Sequence, residues 1–327
     1  MTKRLEADEY VAGVRAGDRG VLARAITLVE SQREDDQRLA RTVVAALLPD
    51  TGRARRVGIT GVPGVGKSSL IEALGTHLTK TGHRVAVLAV DPSSPRSGGS
   101  ILGDKTRMTA LARDPAAFVR PSPSLGALGG VARHTREALL LCEAAGFDVV
   151  LVETVGVGQS EAMVAQLVDC FLVLLLAGAG DELQGIKRGI LELVDVLAIT
   201  KADGENVVTA NRARAEFAAA LHLVRAKHAE WSAPVLTCSA LTGDGIAKLW
   251  AAIEAHRAAM IAAGTFATER ARQQVHWMWR AIEAGLLRRF AADPKVVAMV
   301  AELEAAVRAG SVSPDHAAGE LLAAFTG

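Results

Sequence analysis

The chain has 327 residues, half of them hydrophobic and 22% charged, with a formal net charge of +1. Such a composition builds a sizeable core and excludes an intrinsically disordered chain, and the near-neutral balance removes any electrostatic case for nucleic acid or an anionic membrane. The longest apolar run, around 170–180, is too short for membrane insertion, and MTKRLEADEY at the start lacks the apolar stretch of a signal peptide, so a cytoplasmic protein is expected.

Residues 1–52 read as a helical N-terminal extension. Ser31 and Asp35 are expected breaks, and QRLARTVVAALL carries apolar residues at helical spacing. Residues 53–257 alternate short apolar runs (RRVGIT, RVAVLAV, FDVVLVE, CFLVLLLA, DVLAIT, APVLTCSA) with helical patterns. That alternation predicts βαβ units, an α/β fold with a mostly parallel sheet flanked by helices. Residues 258–327 are helical again, with Val275, Met278, Ile282 and Leu286 on one stripe beside Trp277 and Trp279. Cys142, Cys170 and Cys238 are isolated and odd in number. They read as core residues in a reducing compartment, not as a disulfide framework or a zinc site.

The first strand runs directly into GVPGVGKS, Gly61 to Ser68, and then into the helical pattern KSSLIEALGTHL. Strand, glycine-rich loop and helix in this order form a P-loop. The loop Gly61, Val62, Pro63, Gly64, Val65 and Gly66 wraps phosphate with its backbone N–H groups (Pro63, which has none, shapes the turn), aided by the helix dipole at Lys67, Ser68 and Ser69. Lys67 is expected to reach the β- and γ-phosphates and the Ser68 hydroxyl to bind Mg²⁺. The phosphate site also needs a carboxylate at the end of a second strand. VVLVETVGVGQSE supplies Glu153, with Gly156 three positions on as a γ-phosphate sensor in a switch segment. Gln159 does not directly follow Gly156, so the water-orienting glutamine of small signalling GTPases is missing. Asp91, which ends RVAVLAV, and Asp104 in GGSILGDKTRM could each hold Mg²⁺ or position water, or could serve only as a turn former and a helix cap.

For the base, LAITKADGEN places Lys201 and Asp203 just after a strand. This approximates N-K-x-D, in which the aspartate accepts from guanine N1–H and its exocyclic amine, a donor pair adenine lacks. Thr200 stands in place of the asparagine. CSALTG adds Ser239, Ala240 and Leu241, whose backbone could approach the guanine O6. GTP/GDP with Mg²⁺ are therefore the expected ligands.

These segments, together with GDELQGIKRGI, resemble the MeaB/ArgK-type GTPases in content and order, the group that includes the human methylmalonic aciduria type A protein. The resemblance runs over nearly the whole chain. It implies a GTPase that gates delivery of adenosylcobalamin to methylmalonyl-CoA mutase and protects or reactivates that enzyme. It places Asp91, Asp104 and Glu153 with Ser68 in the metal and hydrolysis site and makes ETVGVGQ switch II. It also assigns 181–187, with Lys187, to a further switch facing the partner, and implies a homodimer built on the C-terminal helices, which matches the Trp-containing stripe, a pattern that core packing within one chain would also produce. No D-x-H-x-x-G pattern of a cobalamin-binding domain is present. Three other readings remain. A nickel-inserting GTPase would want a His-rich tract or a Cys/His cluster, and the eight histidines are scattered. The others are a kinase associated with arginine/ornithine transport and a nucleotide-dependent scaffold with negligible turnover.

Overall fold

The computed structural model describes residues 4–90, 108–120, 128–154, 160–178, 188–223 and 227–326. Three helices come first: α1 (Ala7–Arg15), α2 (Arg19–Glu30) and α3 (Glu34–Leu47). Ser31 does end α2, but Asp35 is not a break. It lies in the acidic first turn of α3, where carboxylates favour the helix dipole. The break that sequence reading passed over is at Asp18, whose Oδ1 accepts from the Gly20 and Val21 amides at 2.7 and 3.0 Å and caps α2.

The sheet follows: β1 (Arg55–Gly61), α4 (Lys67–Lys80), β2 (Val85–Val90), α5 (Thr109–Arg113), β3 (Ala117–Arg120), α6 (Leu128–Ala144) and β4 (Val149–Thr154). Then come α7 (Ser160–Ala165), β5 (Cys170–Leu176), α8 (Arg188–Leu191), β6 (Val196–Thr200), α9 (Val207–Leu221), β7 (Val235–Thr237) and α10 (Ile246–Ala262). The described strands form one seven-stranded sheet in the order β3-β2-β4-β1-β5-β6-β7. Every pairing in it is parallel. Near-continuous burial along β4 and β5 is the mark of strands covered on both faces. On one face Leu70, Ile71, Leu74 and Leu78 of α4 meet Leu249 and Ile253 of α10 over Val57, Ile59 and Leu172. The N-terminal helices pack on one another and on α6. All six strands expected from the sequence are present. The seventh, β3, has only four residues, too few to show a period.

The chain divides into two compact units, Met1–Gln273 and Gln274–Gly327. The division falls within the long helix α11 (Thr265–Ala292), which is followed by α12 (Pro294–Arg308) and α13 (Pro314–Thr326). Among the described residues no helix is long and apolar enough to cross a membrane.

Candidate nucleotide site

β1 sits at the centre of the sheet, between β4 and β5. The crevice beyond its carboxyl end is therefore the switch point at which open α/β sheets bind ligands. The loop from Gly61 to Gly66 fills that position and delivers Lys67 and Ser68 to the N-terminus of α4. A side chain at Gly61 would put its Cβ 2.6 Å from the Leu174 carbonyl of β5, and Gly66 holds φ 95° at the helix N-cap. Both positions need glycine for physical reasons, clash at the first and left-handed backbone at the second.

Lys67 donates from Nζ to the Gly61 and Val62 carbonyls at 2.6 and 3.2 Å. Burial pushes its ammonium below the usual lysine value, and the carboxylates of Glu153 and Glu161 oppose that shift. Ser68 Oγ donates to Glu153 Oε1 at 3.0 Å, so β4 brings the buried Glu153 carboxylate to the start of α4. Beside it, Thr154 Oγ1 donates to Thr60 Oγ1 at 2.7 Å and ties the carboxyl ends of β4 and β1 together. Glu161 on α7 is buried and is felt by Lys67, yet it was not singled out from the sequence. Its only signal there was its place two residues beyond Gln159 in the VGQSE run.

The second half of the site lies after β6. A cavity of about 250 Å³ is lined by Val65, Gly66, Ser69, Leu70, Thr200, Lys201, Asp203, Ala240 and Leu241. Lys201 takes φ 55° and is the one described non-glycine residue with positive φ. Asn206 Nδ2 donates to its carbonyl at 2.7 Å, which stabilises the strained turn. The Lys201 stem passes over Gly66, with Cε 3.9 Å from where a Cβ there would sit. Ser239 Oγ donates to Asp203 Oδ2 and accepts from the Leu241 and Thr242 amides at 3.1 and 3.2 Å, which aims the carboxylate and shapes the loop under it. The Ala202 amide donates to the Cys238 carbonyl at 3.1 Å and joins the two base-side loops. Thr200 Oγ1 donates to the Val65 carbonyl at 2.7 Å and lies 3.2 Å from the Leu175 carbonyl. It thereby links the P-loop to β5 and β6, a role the sequence reading did not foresee.

Of the sequence-derived site residues, the loop 61–69, Glu153, Lys201, Asp203 and 239–241 all gather at the carboxyl edge of the sheet. Asp91, Asp104, Gly156 and Lys187 lie outside the described residues.

Parallel sheet, P-loop at the central strand and a carboxylate at the adjacent strand end define a P-loop nucleoside triphosphatase. Residues 22–295 match the family described as methylmalonyl Co-A mutase-associated GTPase MeaB, and the chain belongs to that family. GTPase ArgK of Escherichia coli is 48% identical over 306 residues, 94% of this chain and 92% of that protein. The mouse protein named methylmalonic aciduria type A homolog, mitochondrial, is 46% identical over 328 residues, 97% of this chain and 79% of its own length. A solved structure described as LAO/AO transport system kinase superposes with TM-score 0.77 at 39% identity, covering all of both chains. The chain is thus a GTPase, and its family implies a guanine nucleotide as ligand.

Proposed function

We propose that the chain is a GTP-driven chaperone of an adenosylcobalamin-dependent methylmalonyl-CoA mutase, gating delivery of the cofactor and protecting or reactivating the enzyme. The observation that carries this reading is the match, over most of the chain, to a family whose description couples a GTPase to that mutase. The mouse relative's name, methylmalonic aciduria type A homolog, supports it.

The residues present fit GTP with Mg²⁺. The glycine loop leaves open space, with nothing within 4 Å of where a Cβ on Gly64 would sit, and Ser68 with Glu153 offers the hard oxygen donors magnesium prefers. Ser68 and Glu153, together with Asp91 and Asp104, would hold the ion. When bound, it neutralises charge on the β- and γ-phosphates. The chain's own groups do the rest. Lys67 exchanges the Gly61 and Val62 carbonyls for phosphate oxygens, a charge-assisted gain. Asp203, held by Ser239, accepts from guanine, and the Lys201 stem lies along the base. With no water-orienting glutamine directly after Gly156, turnover by the chain alone is slow. A partner that engages the segment around Gly156 and the segment 181–187 accelerates it. Lys187 couples the second segment to that partner. The protein works as a homodimer through its C-terminal helices.

The test is GTP turnover at saturating nucleotide with and without the mutase. Stimulation by the mutase is expected in the wild type and is markedly reduced in Lys187→Ala. No stimulation of the wild type sinks the chaperone reading, and equal stimulation of both proteins removes Lys187 from the coupling. A second reading, transfer of phosphate to a transport component, rests on the name of the solved relative. It requires a stable phosphoprotein after incubation with γ-labelled GTP or ATP, whereas the chaperone reading leaves the label in free phosphate.

A further inference from the structure

The opposite edge of the sheet carries a cluster that takes no part in nucleotide binding. Asp195 immediately precedes β6 and is fully buried. Its Oδ2 accepts from the Phe171 amide and from Lys227 Nζ, both at 2.8 Å. Among the described residues its Oδ1 has no hydrogen-bond partner. That oxygen faces His256 Nε2 at 3.6 Å and His228 Nε2 at 3.8 Å. His256, on α10, is 1% exposed, and neither ring nitrogen makes a hydrogen bond to another described residue. Trp231 packs edge-on against its ring with centroids 5.2 Å apart. One ligand atom from each of Asp195, His228 and His256 lies within 4.8 Å of the others.

An imidazolium–carboxylate pair would close to hydrogen-bond distance, roughly 2.7–2.9 Å, and these pairs do not. Unpaired buried polar atoms are costly unless something satisfies them. Ligands about 2.0–2.2 Å from a tetrahedral zinc ion stand about 3.3–3.5 Å apart, so the two Asp195–histidine spacings need to contract by only a few tenths of an ångström, and the two imidazole nitrogens start within 4.8 Å of each other. We propose that Asp195, His228 and His256 form a binding site for a divalent transition metal of the zinc type.

Two imidazoles and one carboxylate suit zinc and cobalt and are poor ligands for magnesium or calcium. Lys227 and the Phe171 amide grip the carboxylate through its other oxygen and orient it, as outer partners of metal ligands do. A cavity of about 430 Å³, lined by Asp195, His228 and Trp231 among others, adjoins the cluster and leaves the fourth position to water. The ion would clamp three pieces distant in sequence: the start of β6, the segment before β7, and α10. This site stands apart from the nucleotide reading and does not depend on it.

The test uses the full chain, stripped with a chelator and titrated with zinc, with binding read by calorimetry and elemental analysis. One zinc per chain is expected, with a rise in Tm on loading, and cobalt in its place should give the intense visible bands of tetrahedral coordination. His256→Ala and His228→Ala should each weaken zinc binding at least about tenfold, the loss that even outer partners of metal ligands produce. His316→Ala, an exposed position, should change nothing. His228→Ala guards against misfolding at the more buried His256, and unchanged GDP affinity certifies that it folds. Absence of stoichiometric uptake by the wild type, an octahedral cobalt spectrum, or equal uptake by wild type and His228→Ala would each overturn the proposal and leave His256 as a core histidine packed on Trp231.

Discussion

Thr200 stands where guanine-reading loops carry an asparagine, and the structure shows what its shorter side chain does: the hydroxyl reaches the Val65 carbonyl in the P-loop. Valine at 200 keeps the shape and leaves that carbonyl without its partner. Such a loss costs about 1–3 kcal/mol. Thr200→Val should therefore lower Tm by roughly 2–6 °C and weaken GDP binding, because Val65 also lines the base cavity. Melting curves with and without GDP check this, and an unchanged GDP-bound curve would show the link to be idle. Asp203→Ala removes the charged acceptor for guanine, a contact worth about 1.5–3 kcal/mol. The preference for GDP over ADP should fall by at least about tenfold, and calorimetry with both nucleotides decides it. The three thiols make a third case. Burial raises Cys142 and Cys170 well above the ordinary value and pushes Cys238 up to about 12. Thiolate is the reactive form, so a thiol reagent at pH 8 should label none of them until denaturant is added. Fast labelling of any one in the native protein contradicts the burial. At this scale the motif residues were legible because P-loop chemistry fixes residue type and spacing along a short stretch. Thr200, Thr60, Thr154 and Asp195 were not, because each takes its meaning from a partner far away in the chain.

Elements join through buried charge as well as through apolar packing. Arg56, in β1, makes a two-pronged pair with Glu143 of α6 at 2.7 and 3.0 Å, and Glu143 also accepts from the Gly52 amide at 2.6 Å. Both side chains are almost wholly buried. Asp169, just before β5, accepts from the Arg56 amide at 3.0 Å and from Arg270 of α11 at 2.7 and 2.8 Å. Removing one partner of such a pair leaves a buried charge uncompensated and costs about 3–5 kcal/mol, whereas replacing both by apolar groups is often neutral. Glu143→Ala should thus lower Tm by roughly 6–10 °C, and the double change Arg56→Met with Glu143→Leu should recover most of it. A single variant that melts like the wild type would mean water reaches the pair. None of this was legible in the sequence, where nothing marked Arg56 of the RRVGIT run and Glu143, 87 residues apart, as partners. The strands were legible because fully covered parallel strands are written as unbroken apolar runs. β3 and the cap at Asp18 were not, the one being too short and the other a single residue.

At the scale of the molecule, the long helix α11 raises the question of what covers its outer face. Val275, Met278, Trp279, Ile282 and Leu286 recur at helical spacing, and all are between 40% and 56% exposed, while Trp277 is buried. The apolar stripe read from the sequence had two explanations, a core within one chain or a contact between chains. Side chains as exposed as these offer apolar surface for a contact between chains. A stable dimer buries about 1,200–2,000 Å², and its centre is enriched in tryptophan and methionine, the residues this stripe offers. The proposed homodimer therefore makes a direct prediction. Trp279→Glu combined with Ile282→Glu places two charges where the partner's apolar face would sit, and an unpaired charge in such a contact is costly. Sedimentation should move from the mass of two chains to that of one. GTP turnover without any partner protein should stay as it was, because the substitutions lie in Gln274–Gly327 and the nucleotide site lies wholly in Met1–Gln273. A wild type that sediments as a single chain at micromolar concentration removes the homodimer. A variant that stays dimeric moves the contact to some surface other than this stripe.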